Sequence, residues 1–480
     1  MRRLTIERTA TIVLFLLLFA LATRTPVDTD IWWHLRSGEH TLAHGMIHTD
    51  PFSWTKAGEP WVNHSWGSQV LLYAVWSLGG NAGLALFTAL LATAGMAVLF
   101  RISAGNAYLR GVAVVLGAAA AAVFWSPRPQ MLSFFFSAVI IFLLYTYKRR
   151  GIDRLWLIPP VMALWGNLHA GFSIGFIFLL GGIAGETLGR LFGGEHALPW
   201  SGIRKLVLVT LVSALALLLN PYGLEILAVP FQTVSIGALQ DYIQEWSSPD
   251  FHQRQTWPFV ALMIALYGAA GASGRRLDWT DFLLTSGTAF MALLAGRNIA
   301  VFAVVATPVL TYYLDAALEE RGWTVHTMRF VSPLQVRINV AIIALVAIGA
   351  AAKIAVALNP SLIAEAQAAV LPVEAARSLE GQSGPMFNSY NWGGYLMFSL
   401  PQLPVYVDGR TDLYGDAFLT EYLKTATAGD GWRARLAEQG VRLVIVEAAS
   451  GLGRALRDEP GWSLLYQDDL AVVFVREEAA

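Results

Sequence analysis

The chain has 480 residues, 55% hydrophobic and only 14% charged, with a formal net charge of -1 at pH 7. So apolar a balance excludes an ordinary soluble domain, and with no Lys/Arg-rich run there is no electrostatic case for nucleic acid. Cysteine is absent, which removes disulfides, thiol nucleophiles and Cys-ligated metals.

MRRLTIER followed by ATIVLFLLLFALAT has the look of a signal peptide without a convincing small-residue cleavage site, and is expected to stay as a signal-anchor helix. Next comes Pro26–Trp66, which holds Asp28, Asp30, His34, Arg36, Asp50 and five of the nine histidines. A loop that gathers ionisable groups beside membrane spans is the first place to look for function. SWGSQVLLYAVWSLGG mixes apolar and aromatic residues with Ser65, Ser68, Gln69 and Ser77, and reads as an interfacial helix rather than a span.

Apolar runs long enough for helices lie at 9–23, 81–100, 109–125, 131–147, 155–167, 172–191, 205–219, 257–272, 279–295, 299–314 and 338–358, about eleven spans in all. Basic residues collect in alternate loops. Arg2, Arg3, Arg8, Arg101, Arg110, Lys148, Arg149, Arg150, Arg190, Arg275, Arg276 and Arg321 fall on one side, which the positive-inside rule makes cytoplasmic. The expected protein is therefore multi-pass in the cell (inner) membrane, with its N-terminus cytoplasmic. The Asp28/Asp30 loop, Arg128, His169, the loop after Asn220, and Arg297 then open on the extracytoplasmic side.

After Leu358 the composition becomes that of a globular domain. The expectation is a transmembrane domain over 1–358, including outer loop 25–80, and a small extracytoplasmic α/β domain over 359–480 with a partly parallel sheet. Its predicted elements are a helix at 372–380, strand-like PVYVDGR, a helical region at 417–439, the strand VRLVIVE, and a hairpin around Asp468-Asp469.

Asp28-Thr29-Asp30 offers two carboxylates for general-base, electrostatic or metal work; the plainer reading is that Asp30 caps the helix starting at Ile31. His34 lies one turn after Asp30 and suits a proton relay or a structural hydrogen bond. His40, His44 and His48 recur every four residues, but Gly45 ends the helix near His44, and solvated histidines are the commoner outcome. Assistance by a divalent metal, Mg or Mn, stays open. Arg128, Asn167, His169, Asn220, Glu245 and Arg297 sit near the outer ends of spans; the two arginines suit a phosphate, and interfacial snorkelling is the alternative. In the C-terminal domain, Trp392, Tyr395, Asp408 and Arg410 suit contacts to a sugar or to the membrane domain, while the glycines of NWGGY suit a tight turn.

The residues DTDIWWHLRSGEHTLAHGMIHTDPFSWTKAGEPWVNHSW, LWGNLHAGF, NPYG, GRN, and NWGGY with VDGR are similar to those of a bacterial branch of the GT-C superfamily of membrane glycosyltransferases. The resemblance runs nearly the whole chain. That superfamily includes protein mannosyltransferases, aminoarabinose transferases and oligosaccharyltransferase catalytic subunits. This chain departs from the adjacent Asp-Glu pair of the first and the WWD signature of the last.

The resemblance implies inverting transfer of a sugar from a polyprenyl-(di)phosphate donor to an extracytoplasmic glycan, lipid or protein. Asp30, helped by Asp28, would be the base, with Arg128 or Arg297 on the lipid phosphate and His34 and His169 of second rank. His64, Asn167, Asn220, Glu245, Trp392, Tyr395, Asp408 and Arg410 would be substrate contacts. A transporter or a non-catalytic scaffold using the same outer vestibule is the rival reading; the repeat symmetry and mid-membrane charges that transporters often show are not evident.

Overall fold

The computed structural model describes residues 4–194, 196–234, 236–237, 244–323 and 331–477. Helices dominate: α1 (Ile6–Ala22), α2 (Ile31–His44), α3 (Trp66–Ile102), α4 (Ala107–Ala121), α5 (Gln130–Arg150), α6 (Ile158–Leu168), α7 (Phe172–Leu191) and α8 (Trp200–Ala216). The short α9 (Val229–Val234) precedes α10 (Trp257–Ala272), α11 (Trp279–Leu294), α12 (Ile299–Glu320) and α13 (Pro333–Ala357). Every apolar run expected to be a span is helical. Among the described residues seven helices are long and apolar enough to cross a membrane, and α1, α6, α10 and α11 are shorter. The chain is a polytopic helical membrane protein with a small C-terminal sheet.

The helix α3 is broken at Gly80, whose φ of 55° and ψ of -147° suit only glycine. The break falls between the expected interfacial helix and the span starting at Asn81.

Contacts divide the chain into two units. One comprises Met1–Arg24, Ala85–Leu224 and Ile243–Leu358; the other comprises Thr25–Leu84, Glu225–Tyr242 and Asn359–Ala480. The acidic loop thus groups with the C-terminal residues.

In the first unit α12 is the central helix. Its sequence is apolar on every face, and α4, α10 and α11 pack against it. Gly117 on α4 is needed for that packing, because a Cβ there would lie 2.1 Å from Thr307 Oγ1. At one end of the bundle Arg149 meets Asp281 at 2.7 Å, and Tyr145 and Tyr313 donate to the same carboxylate at 2.8 and 2.9 Å. Lys148 pairs with Glu186 and Asp278 beside it. These buried charges are compensated as a group, which is the condition for tolerating them.

The second unit holds a sheet of order β1-β2-β4-β3, from β1 (Met386–Asn388), β2 (Leu443–Glu447), β3 (Trp462–Gln467) and β4 (Ala471–Arg476). β1 runs parallel to β2 with Met386 opposite Leu443, whereas β2–β4 and the β3–β4 hairpin are antiparallel. The run LVIV is buried throughout, as a central strand requires. Two expectations need correction. PVYVDGR is not a strand of the sheet: Tyr406 N–H donates to Asn388 Oδ1 at 2.7 Å, and Val407 C=O accepts from Asn388 Nδ2 at 2.8 Å. Val405 instead forms a parallel bridge with Ser53 of the acidic loop. The helical region at 417–439 is two helices, Thr411–Ala426 and Trp432–Glu438, separated by a turn with Gly431 at φ 79°.

The two ends of this unit's sequence are joined by charge. Arg410 donates through Nε and Nη2 to both oxygens of Asp408, at 2.8 and 2.7 Å, and through Nη1 to Asp50 at 2.6 Å. All three side chains are wholly buried, and the guanidinium lies over the rings of Phe52 and Trp61. Burial alone would lower the arginine's proton affinity, but Asp408 first and Asp50 with it raise the pKa, so the cation persists. Arg410→Met strands two buried carboxylates and is expected to cost about 3–5 kcal/mol. Thermal unfolding of the purified variant in detergent measures the loss.

Candidate functional site

The segment between α1 and α2 places Asp28 and Asp30 at the start of α2. Asp30 N–H donates to Asp28 Oδ1 at 2.9 Å, which fixes the turn. Asp30 occupies the N-cap position without a side-chain bond to the helix, so the capping alternative is not how its carboxylate is used. Its Oδ1 lies instead 2.6 Å from where a Cβ on Gly409 would be.

Around it the other expected residues of this unit divide. His34 is buried, with Nδ1 3.4 Å from Gln69 Nε2, and Gln69 Oε1 accepts from Asn63 at 2.7 Å. His64 has Ser65 Oγ on Nδ1 at 2.9 Å and Asp412 4.0 Å from Nε2; Asp412 also accepts from Trp61 Nε1 at 3.0 Å. Trp392 is buried and donates to Val370 C=O at 3.0 Å, while Tyr395 meets Trp32 edge-on at 5.4 Å. Burial pushes the Tyr395 phenol above its usual range. Asp408 and Arg410, expected as ligand contacts, expose no side-chain surface.

In the other unit the two arginines converge. Arg128 stands before α5 and Arg297 before α12, yet Arg128 Nη2 is 3.0 Å from Glu245 Oε2 and Arg297 Nη1 is 3.7 Å from Glu245 Oε1. Ser126 Oγ accepts from Arg128 Nε at 3.1 Å, Arg297 lies over the Trp246 ring at 4.2 Å, and Gly296 N–H donates to Ser247 C=O at 3.0 Å. Burial raises the Glu245 pKa, but Arg128 and then Arg297 outweigh it and hold the carboxyl below its ordinary value. His169 Nδ1 accepts from Ser133 Oγ at 2.7 Å and from Gly171 N–H at 3.1 Å, and the same hydroxyl accepts from Trp165 Nε1 at 2.7 Å. Asn220 ties Gly166 C=O at 2.9 Å to Tyr222 N–H at 2.9 Å, and Asn167 donates to Ala163 C=O at 2.9 Å, so both amides serve the ends of α6 and its neighbouring loop.

Among the described residues no group of three or more His, Asp or Glu is arranged to hold a metal ion. His40 and His44 lie side by side with ring centroids 4.6 Å apart, without a carboxylate completing a site. Two participants were not expected. Asp412 carries no local signal, and Asp50 finds its partner 360 positions away.

No protein-family model matches the chain, and no curated protein matches it by sequence. Solved structures do match. ArnT from Cupriavidus metallidurans, crystallised with undecaprenyl phosphate, is 14% identical, with 97% of this chain and 96% of that one covered at a TM-score of 0.56. The archaeal oligosaccharyltransferase AglB from Archaeoglobus fulgidus, in complex with an inhibitory peptide and a dolichol-phosphate, is 12% identical, with 98% and 74% covered at 0.59.

Glu245→Gln leaves two guanidiniums facing each other and is expected to lower stability at neutral pH by about 2 kcal/mol. Because the folded pKa of Glu245 is lowered, its contribution is present above the unfolded carboxyl value of about 4.3 and is lost as pH falls through the lower folded value. The gap in melting temperature between wild type and variant therefore closes as the pH falls below about 4.

Proposed function

We propose that this chain, which has the GT-C fold, is a membrane glycosyltransferase that moves a sugar from a polyprenyl-(di)phosphate donor to an extracytoplasmic acceptor. The observation that carries the reading is the convergence of Arg128 and Arg297 on the one carboxylate of Glu245. A paired guanidinium site satisfied by an oxyanion is the arrangement a lipid phosphate needs. The solved structures with undecaprenyl phosphate and dolichol-phosphate have the same fold.

In this mechanism Asp30 takes the proton of the acceptor hydroxyl, and Asp28 assists through the turn it fixes. The acceptor oxygen attacks the anomeric carbon as the bond to the phosphate oxygen breaks. The bonding electrons leave with the polyprenyl (di)phosphate, whose charge Arg128 and Arg297 stabilise. One displacement inverts the anomeric centre. The carboxylate also favours the oxocarbenium character of the transition state.

Asp30→Asn keeps size and local polarity but removes the base. Single-turnover transfer from a labelled polyprenyl-phosphate sugar is expected to fall about 100-fold or more at matched thermal stability, with Asp28→Asn costing less. Near-normal turnover by Asp30→Asn overturns the assignment. The sidedness requires reporters at the C-terminus and near Lys56 to read as extracytoplasmic, and one near Arg150 as cytoplasmic.

A further inference from the structure

Trp33 is 7% exposed, yet its indole Nε1 is buried and has no hydrogen-bond partner among the described residues. A buried indole N–H ordinarily finds an acceptor, because leaving it unpaired costs the full desolvation penalty. This one is held in place from two sides by glycines. A Cβ on Gly394 would lie 3.0 Å from Trp33 N and 3.3 Å from both Cβ and Cδ1. On Gly409 a Cβ would lie 2.7 Å from Trp33 Nε1, 3.2 Å from its Cδ1 and 2.6 Å from Asp30 Oδ1. The indole nitrogen and the Asp30 carboxylate therefore flank one small space that a methyl group at Gly409 would fill. Gly394 of NWGGY and Gly409 of VDGR have one shared effect: they make room for Trp33 beside Asp30, whereas Gly393 admits the backbone of Val407 and Asp408.

We propose that Trp33 is the positioning residue for Asp30: its Nε1–H is the donor that the carboxylate turns to in the rotamer from which it accepts the acceptor's proton. The inference rests on the reading of Asp30 as base. An N–H donor facing a carboxylate does two things. It selects one rotamer, leaving the other oxygen for the hydroxyl, and it favours the ionised form, so the base is ready at lower pH. Trp33 is one turn along α2 from Asp30, and the glycine contacts fix its ring. The acceptor, the Asp30 carboxylate, is half-buried beside it. The other titratable and charged groups here are Asp28 before α2, His34, Arg36, Glu39, His40 and His44 along it, Tyr395 against Trp32, His64 beyond Trp61, and Asp408, Arg410 and Asp412 around Gly409.

The test is Trp33→Phe, which keeps an aromatic ring between the glycines and removes the N–H. Single-turnover transfer by the full chain in detergent, followed across pH, is expected to fall about 10-fold on the plateau, with the acidic limb moved to higher pH. Binding of the labelled donor, read by equilibrium filtration, should be unchanged. A merely structural tryptophan would change the melting temperature and the amount of active protein without moving the limb. Gly409→Ala, whose methyl enters the shared space, should lower turnover at least as far; if it fails to fold, Trp33→Phe still decides. An unmoved limb in Trp33→Phe with Asp30→Asn inactive overturns the positioning role and leaves the base assignment standing. Full turnover by Asp30→Asn overturns the base assignment itself.

Discussion

The buried triad of Asp50, Arg410 and Asp408 is the constraint on which the second unit depends. A guanidinium with no exposed surface is tolerable only when its donors are matched by carboxylates, and here they come from both ends of the chain. Asp50 is itself fixed by N–H donors from Phe52 and Ser53 at 3.1 Å, and Asp408 accepts from Tyr414 at 2.9 Å. The triad locks the loop that follows α2 onto the segment preceding Thr411–Ala426. With that segment comes Gly409, and with Gly409 the surroundings of Asp30. Electrostatics in the core of this unit therefore set the geometry at its acidic end.

Much of this architecture is legible in the residues. Long apolar runs announce helices because hydrocarbon admits little else, and glycine at position 80 marks the break within α3. The β-branched run at Leu443–Glu447 and the Asp468 turn read equally well, since Asp468 Oδ1 accepts from Leu470 N–H at 2.8 Å and Ala471 N–H at 2.6 Å. PVYVDGR misleads because its alternation is that of a strand, while its hydrogen bonds go to the Asn388 side chain and to the acidic loop. No local pattern reveals which backbone a side-chain amide will satisfy.

The candidate site was legible in part. Arginines at the starts of α5 and α12 stand out by charge alone in so apolar a chain, and their convergence requires the two helices to begin at the same end of the bundle. The identity of their shared anion does not stand out, because Glu245 lies in a single 3-10 turn, Gln244–Trp246, too short to carry a periodicity. Asp408 and Arg410 show the converse. Their spacing suggests a ligand pair, but a charge whose partner is 360 positions away carries no local mark of being structural.

The composite nature of the second unit has a consequence for how the chain is made. Its acidic loop is synthesised before α3 to α13, whereas β1 and Arg410 emerge only after them. Until then Asp50 has no cation, Trp54 lacks the Met386 carbonyl it donates to at 3.0 Å, and Val405 is not yet there to pair with Ser53. The loop must wait, solvated, through the insertion of the whole helical body, and the unit closes late with contacts of very high sequence separation. A chain that stops short of its C-terminal domain therefore has membrane helices but no settled surroundings for Asp30.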